Sequence, residues 1–260
     1  MNMLNKVPAV TLIFWVIKIM ATTVGETAAD FLSVNLKLGL TVTSYIMAGL
    51  LLVALALQLK ARRYIPALYW TVVVFISVMG TLISDNLVDN LGVSLTTTSL
   101  LFGVALVLVF GLWYASEKTL SVHTIQTTRR ELFYWAAILC TFALGTSAGD
   151  LIGERLGLGY PLSALLFGGI IAATFLAYQY SRLNAVLAFW TAYILTRPLG
   201  ASLGDLLTQP ATAGGLGVST MLISGIFLVS IVVLVGFLTR QQQLARDLEA
   251  APSRVSQRAR

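Results

Sequence analysis

The chain has 260 residues, 57% of them hydrophobic and only 11% charged. Soluble domains run at roughly 25% charged and about 45–50% apolar, so this composition excludes an ordinary water-soluble domain and points to a polytopic membrane protein. A single histidine (His123) and a single cysteine (Cys140) exclude a disulfide framework and any Cys/His metal centre, and the net charge of +6 sits in short connections and a tail, which favours membrane topology over nucleic-acid binding.

The predicted fold is all-α. Apolar stretches long enough to cross a bilayer core of about 30 Å occur near 9–31, 39–59, 66–88, 94–115, 131–152, 160–180, 185–207 and 218–239. The opening MNMLNK and its apolar run look like a signal peptide, but the run continues into the first repeat described below, so a retained first helix is expected. Pro66 and Pro161 suit first-turn positions. Gly39, Gly92, Gly157, Gly159, Gly214, Gly215 and Gly217 fall in tight connections between helices. Residues 1–240 form one transmembrane domain with repeats near 9–59, 66–115, 131–180 and 185–239. Residues 241–260 form a basic cytoplasmic tail that extends helix 8 by a turn or two and then frays.

A motif recurs along the odd-numbered segments. WVIKIMATTVGETAAD, WTVVVFISVMGTLISD, WAAILCTFALGTSAGD and WTAYILTRPLGASLGD all read W-x9-G-x4-D. Their tryptophans are Trp15, Trp70, Trp135 and Trp190, offset by 55, 65 and 55 residues (15 to 70, 70 to 135, 135 to 190). Their glycines are Gly25, Gly80, Gly145 and Gly200, and their aspartates Asp30, Asp85, Asp150 and Asp205. Recurrence at this period marks a repeat architecture. Each repeat is a two-helix hairpin, so successive repeats run parallel across the membrane. Thirteen of the seventeen Lys and Arg residues fall on one side, with only Lys37 and Arg155 on the other. By the positive-inside rule both termini are cytoplasmic.

Seven of the eleven acids belong to the motif helices or their outer turns: Glu26, Asp30, Asp85, Asp89, Asp150, Glu154 and Asp205. From tryptophan to aspartate is about 22 Å at 1.5 Å per residue, which places the aspartates in the outer third of the membrane. Glu26 and Asp30 share a helix face, and like charges so placed ask for a cation, a proton or a basic partner. Asp89 and Glu154 are expected in water-exposed turns. Lys18 and Arg197, each eight residues before an acid (Glu26 and Asp205), are candidate counter-ions, with snorkelling of Lys18 as its alternative. The glycines are expected to let helices approach closely, and the tryptophans to serve as interfacial anchors or packing residues. If the motif helices line a centre, Glu26, Asp30, Asp85, Asp150 and Asp205 form a carboxylate cluster of hard oxygen donors, suited to Mg²⁺, Mn²⁺, Ca²⁺ or protons as bound ion.

The four W-x9-G-x4-D hairpins resemble a bacterial membrane-protein family built from four tandem two-helix repeats, each with a characteristic tryptophan, described as a repeat of unknown function. The resemblance covers residues 10–240 and implies eight helices in a bacterial inner membrane; it implies no substrate. The residues themselves favour a gradient-driven secondary transporter or exporter of a small cation, with a divalent metal such as Mn²⁺, Mg²⁺ or Ca²⁺ as a candidate cargo and protons as candidate coupling ions, since no nucleotide-binding motif is present. The alternative is a cation channel or an ion-modulated structural membrane protein. An enzyme is disfavoured, because Ser147 and Ser202 stand where an aspartyl intramembrane protease motif needs glycine. The expected partners are the lipid bilayer and the cation, with homo-oligomerisation left open.

Overall fold

The computed structural model describes residues 5–258, and among these every regular element is helical. Helix α1 (Leu12–Asp30) is followed by α2 (Gly39–Lys60), α3 (Pro66–Asp85), α4 (Leu95–Glu117), α5 (Thr128–Asp150), α6 (Tyr160–Tyr180), α7 (Ala185–Thr208) and α8 (Thr220–Arg258). The starts follow from local sequence. Thr11, Ser94, Thr127 and Asn184 accept hydrogen bonds from backbone N–H groups of the first turns of α1, α4, α5 and α7, and Pro66 occupies the first turn of α3. Gly39 and Gly92 close the following connections with φ of +74° and +66°, where a Cβ would be strained.

The odd-numbered helices form an inner ring. α1 packs on α3 and α7, α3 on α5, and α5 on α7. The even-numbered helices surround it, each lying on the inner helix of the next repeat: α2 on α3, α4 on α5, α6 on α7, and α8 back on α1. Burial follows this division. In the apolar stretches of α1, α3 and α5, 61% of residues are buried, against 22% in α2 and α8 and 11% in α4 and α6. The exposed faces of the outer helices are Leu-, Val- and Ile-rich, the composition that a lipid environment accommodates.

The motif glycines mark the contacts between inner helices. A Cβ on Gly80 would sit 2.6 Å from the Phe142 Cβ, and one on Gly25, Gly145 or Gly200 would collide with Ser77, Arg197 or Thr22 respectively. Each glycine therefore seats the residue seven past the tryptophan of the next inner helix, and the last of them seats α1. Trp70, Trp135 and Trp190 are buried at 1%, 4% and 4% exposure, and Trp15 is half-buried. They pack among aromatic rings, with the Trp190 indole N–H donating to the Leu120 carbonyl at 2.9 Å.

Among the described residues eight helices form near the eight expected positions, and seven of them are long and apolar enough by themselves to cross a membrane. The exception, α7, carries Arg197 and Asp205, whose side chains are 0% and 6% exposed inside the protein and so need no lipid-compatible surface. The segment after residue 240 does not fray after a turn or two: α8 continues through Arg258. Ala259 and Arg260, the end of the expected tail, lie outside the described residues.

Candidate functional site

Asp30, Asp85 and Asp150 are the last residues of α1, α3 and α5, and Asp205 lies in the last turn of α7, all four at one end of the ring. In the first three repeats the chain then widens into a five-residue π turn: Phe31–Asn35, Asn86–Asn90 and Leu151–Arg155. The i+5 bonds of these turns are Leu36 N–H to Phe31 O (2.9 Å), Leu91 N–H to Asn86 O (3.1 Å) and Leu156 N–H to Leu151 O (2.9 Å). Such turns are rare and often mark functional sites. The fourth repeat has none; α7 runs on to Thr208.

Between these ends lies a cavity of about 170 Å³, lined by Glu26, Asp30, Asp85, Asp89, Asp150, Glu154 and Asp205 with Val88, Leu95 and Gln209. The four repeat aspartates thus converge on one space. Asp89 and Glu154, expected in exposed turns, join them. The reason is spacing: each lies four residues beyond a motif aspartate, on the same face. Glu26 and Asp205 are 6% exposed, and Asp30, Asp85 and Asp150 are half-buried. Direct coordination of a metal by this cluster is not formed: among the described residues no three Asp, Glu, His or Cys side chains are grouped closely enough to hold a metal ion. The carboxylates surround a space wide enough for several waters rather than gripping a point.

Arg197 pairs with Glu26 of the cavity wall. Its side chain is fully buried and its Nη2 donates to Glu26 Oε2 at 2.9 Å and to Thr146 Oγ1 at 2.8 Å. The guanidinium also donates to the Thr81 hydroxyl and the Thr22 carbonyl. One side chain of α7 thereby binds α1, α3 and α5. Arginine suits this place because its planar fork offers five donors in fixed directions, which an ammonium does not. Gly145 makes room for it, since a Cβ there would collide with the Arg197 side chain and lie 2.9 Å from the Pro198 ring. α7 stays helical through Pro198.

Lys18 does not pair with a carboxylate. Its Nζ is buried without a hydrogen-bond partner, 4.1 Å from the Phe142 ring centroid and 4.2 Å from that of Tyr193. The expected role as counter-ion to Glu26 falls to Arg197 alone, because Arg197 already occupies the space beside that carboxylate.

These contacts fall on rungs four residues apart on every inner helix. One residue before each tryptophan come Phe14, Tyr69, Tyr134 and Phe189; three after it, Lys18, Val73, Ile138 and Tyr193; seven after it, Thr22, Ser77, Phe142 and Arg197; eleven after it, Glu26, Thr81, Thr146 and Ala201. All sixteen are buried. The aspartates are the next rung up. A four-residue step is the ridge along which α-helices interdigitate, so the ring's central layers are readable by counting back from the aspartates. At the far end Tyr69 and Tyr134 join hydroxyls at 2.5 Å, and Phe14 and Phe189 close the layer with centroids 6.1 Å apart. Beyond them, and unanticipated from the sequence, Glu131 accepts from the Lys6 ammonium at 2.6 Å and from the Gln58 amide at 3.0 Å, all three side chains being buried.

The four repeats correspond to a known family model, described as a Repeat of Unknown Function (DUF347), which matches residues 13–64, 68–119, 133–184 and 188–243. No curated protein and no solved structure matches the chain significantly. Each matched segment covers most of one inner helix and all or part of the outer helix that follows it. With four tandem copies that together span most of its length, the chain belongs to the DUF347 repeat family.

Proposed function

We propose that the protein is a multi-pass component of a bacterial inner membrane, with parallel repeats and both termini in the cytoplasm, that works as a gradient-driven secondary transporter or exporter of a small cation. The observation that carries this reading is a cavity lined by seven carboxylates, one of which, Glu26, is paired with the buried Arg197 guanidinium. A low-dielectric wall around one sign of charge concentrates counter-ions. Ionisable groups at membrane depth are costly and are retained where ions or protons pass.

The spacing of the acids favours an ion that keeps part of its water shell, held by carboxylates through those waters. Mg²⁺ behaves so by preference, and Mn²⁺ or Ca²⁺ would meet the same oxygen chemistry. The filled rungs below the cavity favour a transporter over an open channel, because the buried side chains of Arg197, Phe142 and the Tyr69–Tyr134 pair occupy the levels beneath the carboxylates.

The test is flux into proteoliposomes of purified protein, with Mg²⁺, Mn²⁺ and Ca²⁺ offered in turn. Wild type is expected to give saturable uptake. The combined Asp→Asn change at positions 30, 85, 150 and 205 is expected to reduce it at least about 100-fold, since each lost charge removes on the order of 1 kcal/mol of attraction at a hydrated site. Unchanged flux in a folded quadruple variant would end the proposal, and steady single-channel currents would replace it with a channel.

A further inference from the structure

Lys18 is a fully buried charged side chain on an inner helix that neither the carboxylate cavity nor an ion pair explains. It stands one rung below Arg197, with no hydrogen bond to its Nζ and no exposure to water. Contacts with two aromatic faces offset only part of what an ammonium loses on leaving water. A lysine held this way at membrane depth is retained for something other than stability.

The groups around Lys18 form a column. Glu26 and Arg197 lie above it, toward the cavity, and are joined at 2.9 Å. Tyr193 on α7 lies beside it, and the Tyr193 hydroxyl also lacks a partner. One rung lower stand Tyr134 on α5 and Tyr69 on α3, with their hydroxyls 2.5 Å apart. α8, which also packs on α1, has no titratable side chain between Thr220 and Thr239. The remaining positions on these two rungs are Val73, Ile138, Phe14 and Phe189, which cannot carry a proton. Groups able to bind and release a proton therefore stand on both sides of the Arg197 level, the cavity acids above it and Lys18 with three tyrosines below it.

We propose that Lys18 is the proton carrier that couples cation movement to a proton gradient, with Tyr193 and the Tyr134–Tyr69 pair as the path between it and the far end of the ring. The proposal rests on the transporter reading above. A proton leaves a cavity carboxylic acid and adds to the Lys18 amine, so that a carboxylate is freed for the cation and an ammonium is formed. The ammonium then passes that proton to the tyrosine hydroxyls, each accepting one proton and releasing one, until it reaches water. Only N–H and O–H bonds change, and no oxidant or reductant is required. Proton and cation exchange places across the column, which is antiport.

Lys18→Met tests this, because methionine fills a similar space without a titratable atom. In proteoliposomes with an imposed pH gradient, wild type is expected to accumulate Mn²⁺, Mg²⁺ or Ca²⁺, whichever it transports. K18M is expected to lose accumulation by at least about 100-fold, the scale of a missing acid–base group. Its exchange of the same ion at equal pH on both sides should stay within about twofold of wild type, as for a change outside the binding cavity. K18M should also unfold about 2–4 °C higher, since an unpartnered buried charge has been removed. Tyr193→Phe should give a smaller loss of accumulation with exchange retained. Accumulation by K18M at the wild-type level overturns the relay and leaves the transporter reading intact. Loss of exchange together with accumulation also overturns it, assigning Lys18 to ion binding or folding instead. Absence of exchange in wild type overturns the transporter reading and the relay with it.

Discussion

The two ends of the inner ring are built from the same four helices on the same four-residue rungs, yet one end is hollow and acidic and the other is filled and aromatic. At the π-turn end, short carboxylates repel one another and leave a space of about 170 Å³. At the other end Phe14, Tyr69, Tyr134 and Phe189 occupy a layer in which Phe14 and Phe189 meet tilted, and Tyr69, Tyr134 and Phe189 each meet the adjoining tryptophan edge to face. The backbone scaffold does not decide where the cavity stops. Side-chain size and charge on each rung do, and Arg197 marks the level at which one regime gives way to the other.

That boundary is the place to break the comparison. Arg197→Met should cost about 3–5 kcal/mol, because it leaves Glu26 buried without its cation and strips donors from Thr81, Thr146 and Thr22. Thermal unfolding in detergent measures it, and Glu26→Gln added to the same chain should restore most of the loss. A cost no larger than that of a surface change would mean the two halves are independent of their junction.

The ring common to both halves is tested next. Gly80→Leu forces α3 away from α5 at Phe142 and should destabilise by about 1–3 kcal/mol. Gly49→Ala on α2, with nothing within 4 Å of the added carbon, is the control and should stay within about 0.5 kcal/mol. Equal effects at both positions would remove the claim that glycine sets the inner spacing.

The smallest effect concerns the filled end. Tyr134→Phe deletes one hydroxyl of the 2.5 Å pair and leaves Tyr69 without its partner, which should cost about 1 kcal/mol. Denaturant titration of the variant beside Tyr69→Phe/Tyr134→Phe resolves it. The double change should recover part of the loss, since it removes the orphaned group as well.

Much of this arrangement is legible in the sequence, and the reasons are specific. W-x9-G-x4-D recurs at full strength because its glycine and aspartate each answer a geometric demand repeated four times: close helix approach and a place at the cavity wall. The apolar runs reveal all eight helices, α7 included, although Arg197 and Asp205 leave α7 less apolar than the seven helices able by composition alone to cross a membrane. Position within the ring is harder to read. Asp89 and Glu154 look like turn residues until the π turns carry them into the cavity wall. Lys18 and Arg197 occupy similar distances from an acid in sequence, yet one reaches a carboxylate and the other does not, because the two lie on different rungs and Arg197 fills the space first. The Lys6–Glu131–Gln58 cluster joins three distant segments through single contacts, and no periodicity announces it.

The seating of each glycine on the next inner helix has a further meaning for how this chain counts. Gly200 receives Thr22, so the fourth copy meets the first and no inner helix is left with an empty neighbour position. A fifth copy would have nowhere to insert, and three would leave a gap at Arg197's partners. The covalent order of the copies then matters less than their cyclic order. A chain rejoined to begin at the third copy, with α8 linked to α1, would find every inner contact waiting for it.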